Sequence, residues 1–185
     1  MNRRHWLVAF LVAGLMTPWC QVHAQALEAK PDAPRSIAVL EFELVDEQNN
    51  PLTKAAQEVR LRNATRQLRE ELAERRLYVV VDPSPSQSLQ DGMRSSQAFL
   101  YRCVDCAGRV GKRLGVDLVM TPWVQKVSEL ILNLNVQIYD VAGDRILFTK
   151  SVDLRGNDDR SWTRAVHYLV RDMAEKRARN ANYAQ

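Results

Sequence analysis

Two hydrophobic periods run along the chain, and they mark out its elements. Residues 36–44 are apolar on both faces in their first half and alternate in their second, with Phe42 and Leu44 set against Glu41 and Glu43. This pattern predicts a central strand. Leu61, Ala64, Leu68 and Leu72 recur at spacings of three and four, which predicts an amphipathic helix from a Thr53 cap to about Arg76. A second buried strand is expected over residues 77–81, stopped by Asp82-Pro83-Ser84-Pro85. Residues 84–102 are less regular: Ser84 or Ser86 is placed to cap a short helix towards Met93, and a further turn falls over 97–101. A helix from about Asp105 ends at Gly115, which suits a left-handed C-terminal cap.

The second half reads as an antiparallel meander. Residues 116–128 are strand-like, and residues 129–139 put Leu130, Leu132, Leu134, Val136 and Ile138 on one face. Residues 140–144 form a hairpin connection and residues 145–154 the returning strand. Asp158, Asp159 or Ser161 caps a last helix to about Arg177, with Trp162, Ala165, Val166, Leu169, Val170 and Met173 as a core stripe. The expected fold class is α/β (α+β): a mixed sheet of about five strands with a C-terminal antiparallel meander and helices packed on it. The single domain is expected over residues 36–178, with a frayed tail over 179–185.

The amino terminus has a different grammar. Arg3 and Arg4 precede an apolar run from Trp6 to Trp19, and Val22-His23-Ala24 puts small residues at the positions a signal peptidase reads. Residues 1–24 are therefore expected to be a signal peptide cleaved after Ala24, giving an exported, periplasmic protein. The run is about 14 residues, whereas a bilayer span needs roughly 20. Cys20 leaves with this peptide; bulky Trp19 stands where a lipoprotein signal has a small residue. Residues 25–35 hold two prolines and little apolar content, and read as a flexible leader.

Cleavage leaves 161 of the 185 residues, enough for one domain with its own core. The signal peptide carries two of the 26 basic residues and none of the 22 acids, so the exported chain has a net charge of +2. Basic residues are interleaved with acids, as in Arg69-Glu70-Glu71 and Glu74-Arg75-Arg76, which argues against nucleic acid as a partner.

The chemical inventory is short. His167 is the one histidine left after cleavage, and it lies beside the apolar stripe of the last helix. There is no Gly-x-Ser-x-Gly motif, the seven glycines form no phosphate loop, and Asp158-Asp159 reads as helix capping. Asn63-Ala64-Thr65 matches a glycosylation sequon but falls inside a helix. No catalytic residue, cofactor site or metal site is assigned.

Cys103-Val104-Asp105-Cys106 is the sharp feature. Haem attachment needs a histidine where Ala107 stands, and zinc needs two further soft ligands, whereas the exported chain has no other cysteine and one histidine. Two readings stay open. A thioredoxin-like redox pair needs the first cysteine at a helix N-terminus just after a strand. A local structural disulfide suits an oxidising compartment, and closing so small a loop stabilises by roughly 2 kcal/mol at best.

Ile37-Ala38-Val39-Leu40-Glu41-Phe42 resembles the first strand of the TolB amino-terminal domain and related envelope proteins. Cys103-x-x-Cys106 with Arg113-Leu114-Gly115-Val116-Asp117, and the ending Leu154-Arg155 to Ser161-Trp162, resemble a family of secreted bacterial proteins known as a domain of unknown function. The resemblance covers residues 36–175 and departs at Asn157, Asp158 and Asp159. It implies a sheet domain that binds a periplasmic or envelope protein and has no assigned catalytic residues. Some relatives accompany periplasmic quinoprotein oxidation systems, which implies an accessory role there. The resulting expectation is a binding or assembly module without catalytic activity. The alternative is a thiol–disulfide protein using Cys103 and Cys106.

Overall fold

A computed structural model describes residues 33–48, 50–103 and 105–185. The signal peptide, its cut after Ala24, Cys20 and most of the leader lie outside the described residues. The elements run β1 (Ser36–Val39), β2 (Glu43–Asp46), α1 (Lys54–Glu74), β3 (Val79–Val81), α2 (Gln87–Arg94), α3 (Cys106–Leu114), β4 (Leu118–Lys126), β5 (Ile131–Asp140), β6 (Arg145–Arg155) and α4 (Asp159–Arg179). Among the described residues the fold is mixed α+β, a six-stranded sheet with four helices.

The sheet order is β3-β1-β4-β5-β6, with β2 pairing β4 beyond the end of β1. β1, β2 and β3 are parallel to their partners, and β4, β5 and β6 form the expected antiparallel meander. Ile37, Ala38 and Val39 are fully buried because β1 lies between β3 and β4 and is covered on both faces.

The sixth strand arises where one continuous first strand was expected. Leu40 still donates its N–H to Met120 O at 2.9 Å, but Phe42 N donates to the Thr65 hydroxyl of α1 at 3.0 Å. Arg69, also on α1, donates through Nε and Nη2 to Val39 O at 3.0 and 2.6 Å. Helix side chains thus satisfy the backbone where the strand breaks.

α1 and α4 cover one face of the sheet. Their Ala64, Leu68 and Leu72, and Trp162, Ala165, Val166, Leu169, Val170 and Met173, are the buried residues the stripes predict. They pack on Leu132, Leu134, Val136 and Ile138 of β5. Each large apolar side chain buried in this way contributes about 1.5–3 kcal/mol. A smaller core on the other face joins Ala38, Leu40, Val119 and Tyr139 to Met93, Cys106 and Val110 of α2 and α3.

Both predicted caps of the later helices are present. Gly115 ends α3 at φ +67°, and Asp158 Oδ1 accepts the Ser161 N–H at 2.8 Å ahead of α4.

Three expectations are corrected. β3 is an edge strand rather than a buried one, because β1 is its pairing partner among the described residues and Val79 is 54 % exposed. Leu130 is 75 % exposed, since it lies in the β4–β5 hairpin ahead of the ladder. The tail expected to fray from 179 onward folds back onto the domain. Tyr183 meets Phe148 edge to face at 5.3 Å, and Ala184 O accepts from Arg177 Nη2 at 2.8 Å and from the Tyr78 hydroxyl.

Candidate functional site

Cys103 and Cys106 are joined as a disulfide, with their Cα atoms 5.4 Å apart. A short 3₁₀ turn, Leu100–Arg102, delivers Cys103 to the foot of α3. Glu43 anchors that turn: its carboxylate accepts the N–H groups of Leu100 at 2.9 Å and Tyr101 at 3.3 Å. Burial raises the pKa of Glu43, against the lowering effect of those two N–H groups and of Arg94. Tyr101 stacks on Trp123 of β4, with centroids 4.3 Å apart and planes 5° apart. Arg102 lies over Tyr101 and donates Nε to its hydroxyl at 2.7 Å.

The two sulfurs occupy different environments. Cys106 is the first residue of α3 and is 2 % exposed in the smaller core, whereas Cys103 is half-buried before the Asp105 N-cap. A depression of about 180 Å³ beside Cys103 is lined by Tyr101, Arg102, Ala107, Thr121 and Gln137. Cys103, Asp105 and Cys106 bring three donor atoms within 4.8 Å of one another. The disulfide holds both sulfurs in a covalent bond and leaves no thiolate to ligate a metal there.

His167 stands elsewhere, on the α1 side of α4, with Nδ1 3.2 Å from Glu71 Oε2. It is half-exposed and remote in sequence and packing from the cysteines. Several carboxylates with shifted titration are engaged in joining elements. The Ser36 hydroxyl and N–H hold Asp117 low. Burial pushes Asp140 up, but Arg35 outweighs it and holds the carboxyl below its usual range. Burial likewise pushes Asp172 up, and hydrogen bonds from Lys150 and Lys176 overcome it.

A larger groove, about 530 Å³, runs between the outer edge of β6 and α4. Val152, Leu154 and Ala165 line it, Tyr168 forms one side, and Arg155 and Arg164 stand at its rim. Sequence reasoning missed this site. The available signal was Tyr168, an aromatic residue just outside the α4 stripe and 45 % exposed.

Among the described residues, no helix is long and apolar enough to cross a membrane. No curated protein matches the chain. Solved structures with a similar fold include the LpoB C-terminal domain from Salmonella enterica, at 16 % identity and a TM-score of 0.43, covering 66 % of this chain and 84 % of that one. TolB from Acinetobacter baumannii is similar at 14 % identity and a TM-score of 0.43, covering 82 % of this chain and 29 % of that one. A putative neuraminyllactose-binding hemagglutinin homologue from Helicobacter pylori is similar at 11 % identity and a TM-score of 0.48, covering 84 % of this chain and 94 % of that one. The chain belongs to the family described as protein of unknown function (DUF2380), whose model matches residues 35–173.

Proposed function

We propose that this chain is an exported protein-docking module and that Cys103–Cys106 is a structural staple. The observation that carries the reading is β6. It is an eleven-residue strand whose pairing partner among the described residues is β5 alone, and its outer edge faces a groove. Alternate residues on such an edge present unpaired N–H and C=O groups that another chain can use. The carboxylates Asp117, Asp140 and Asp172 support the reading as well, since they are engaged in contacts between elements.

A photo-crosslinking residue at Ser151, introduced in the native host, tests the docking reading. A discrete protein adduct from Ser151, absent when the probe stands at Glu58 on α1, is the expected result. Adducts from Glu58 with none from Ser151 overturn it. A role beside a periplasmic quinoprotein oxidation system is the finer form of this reading and rests on the family resemblance. That form requires a quinoprotein subunit in the Ser151 adduct.

The staple reading rests on where the helix begins. Redox pairs of the thioredoxin kind place the attacking cysteine at an exposed helix N-terminus. Here the residue at that place is Cys106, and it is buried. Glutathione titration with alkylation tests it. A reduction potential below about −300 mV marks an inert bridge. A value near about −200 mV, with exchange abolished by Cys103→Ser, makes the chain a redox protein instead.

A further inference from the structure

The β6 groove has a charge that selects its occupant. We infer that it accepts an extended segment of another protein that carries acidic side chains at one end and apolar side chains at alternate positions. This rests on the docking reading and names the chemistry of its partner.

The edge itself calls for a strand. Sheets ordinarily blunt their edges with short strands, prolines, bulges or inward-pointing charges. β3, the opposite edge, is three residues long. β6 has eleven residues and no proline, and its irregular register lies at the end near Ile138 and Tyr139. Lys150 does point a charge inward, but Asp172 on α4 neutralises it. Residues 149–155 therefore keep a regular register, without proline or bulge, although Asp153 and Arg155 are charged. Their register puts Val152 and Leu154 on the α4 face, opposite Leu134 and Leu132 of β5. Side chains of an added strand next to these two would lie between them and Tyr168. A smaller depression of about 220 Å³ continues the groove past Leu154 to the exposed Leu130 and Ile131.

The charges give the partner its sign. Arg155 and Arg164 are both exposed, and neither takes part in an ion pair among the described residues. Among the described residues Arg164 donates to Ser161 Oγ, at 3.5 Å, and adds a minor pull on the Asp158 carboxyl. The one acid lining the groove, Asp153, is held by Asn133 Nδ2 at 2.6 Å. The rim is thus net basic. A second copy of this chain is a poorer occupant, because a two-fold contact sets each patch against itself. A second copy would bring the same net-basic stretch to the edge rather than an acidic one.

The test uses the purified exported chain and two fluorescent peptides. Both alternate valine with threonine or serine; one ends in two glutamates, the other in two lysines. The glutamate peptide should bind roughly tenfold more tightly at low salt, and lose that advantage as salt is raised. Amide exchange should slow at alternate residues over 149–155. In the Arg155→Glu/Arg164→Glu variant, with an unchanged thermal midpoint, the preference should invert.

If both peptides protect β6 equally and the variant changes nothing, the acidic partner is wrong while the docking reading survives. If neither peptide protects β6 and the Ser151 probe yields no adduct, both fail. Self-association that protects β6, seen by sedimentation, identifies a second copy as the occupant and also overturns the inference.

Discussion

Cys106 packs among Met93, Val110 and Tyr139, whereas Cys103 is partly open to solvent. The bridge joins cysteines only 3 positions apart, so it removes little chain entropy from the unfolded state. Its contribution is about 2 kcal/mol at most. The Cys103→Ser/Cys106→Ala variant is expected to melt about 4–8 °C lower for a chain of this size. Alanine is the replacement for Cys106 because a serine hydroxyl would need a partner in that core. A reductant should lower the melting point of the parent protein by the same amount and leave the variant unmoved. A reductant-induced fall much larger than the variant's would show that the cysteines do more than close this loop.

At the scale of elements, α3 shows how closely helix and sheet approach. A Cβ on Gly111 would meet Val141 Cγ2 at 2.3 Å and Val119 Cγ2 at 3.1 Å. Alanine has the better helix propensity by about 1 kcal/mol, but overpacking against a β-branched side chain costs about 1–3 kcal/mol. Gly111→Ala should therefore lower stability by up to about 2 kcal/mol in a urea melt, and a second change, Val141→Ala, should recover part of it. The helices were legible because a buried helix face is written within its own segment. Ala64, Leu68 and Leu72 of α1, and the six-residue stripe of α4, announce that face by period alone. The break after Val39 was not legible, because its hydrogen bonds come from Thr65 and Arg69. Strand order was hidden too, and with it both the exposure of β3 and the edge that makes the β6 groove. The cysteine pair could be read directly from its spacing; Arg155 and Arg164 line one groove only once α4 folds over β6. The tail follows the same logic, since nothing marks Tyr183 as a packing residue until Phe148 is beside it. Deleting residues 180–185 should cost about 1–3 kcal/mol, the range for stranding buried hydrogen-bonding groups. A truncated chain that melts with the parent would restore the frayed tail.

At the scale of the whole molecule, carboxylates tie together parts that are far apart in sequence. Asp117 receives the Ser36 N–H and hydroxyl at the start of β1, Asp140 receives Arg35 at 2.7 Å, and Asp172 joins α4 to Lys150 of β6. All three titrate below their ordinary values in the folded protein, for the reasons given above. The unfolded chain then binds more protons than the folded one as pH falls through about 4. The stability from these contacts is present above that range and is lost towards lower pH. Glu43 has the opposite sign: its raised value favours the folded state at low pH, and that contribution is lost as pH rises through its folded value. Asp82, Glu129 and Asp158 are held low as well, by hydrogen bonds from Ser84, Lys126 and Ser161, so six carboxylates against one predict a net acid limb. Urea midpoints measured from about pH 7 to about pH 3 should fall, most steeply below about pH 4. Asp172→Asn should cost about 1–3 kcal/mol at neutral pH, because it leaves the largely buried Lys150 without its counter-charge. The gap between variant and parent should then narrow as pH falls, since the parent's carboxylate is neutralised too. A gap that stays constant down to about pH 3 would mean that Asp172 acts through packing rather than through its charge. The clasp between β6 and α4 would then be apolar, and the edge beside it would lose its electrostatic anchor.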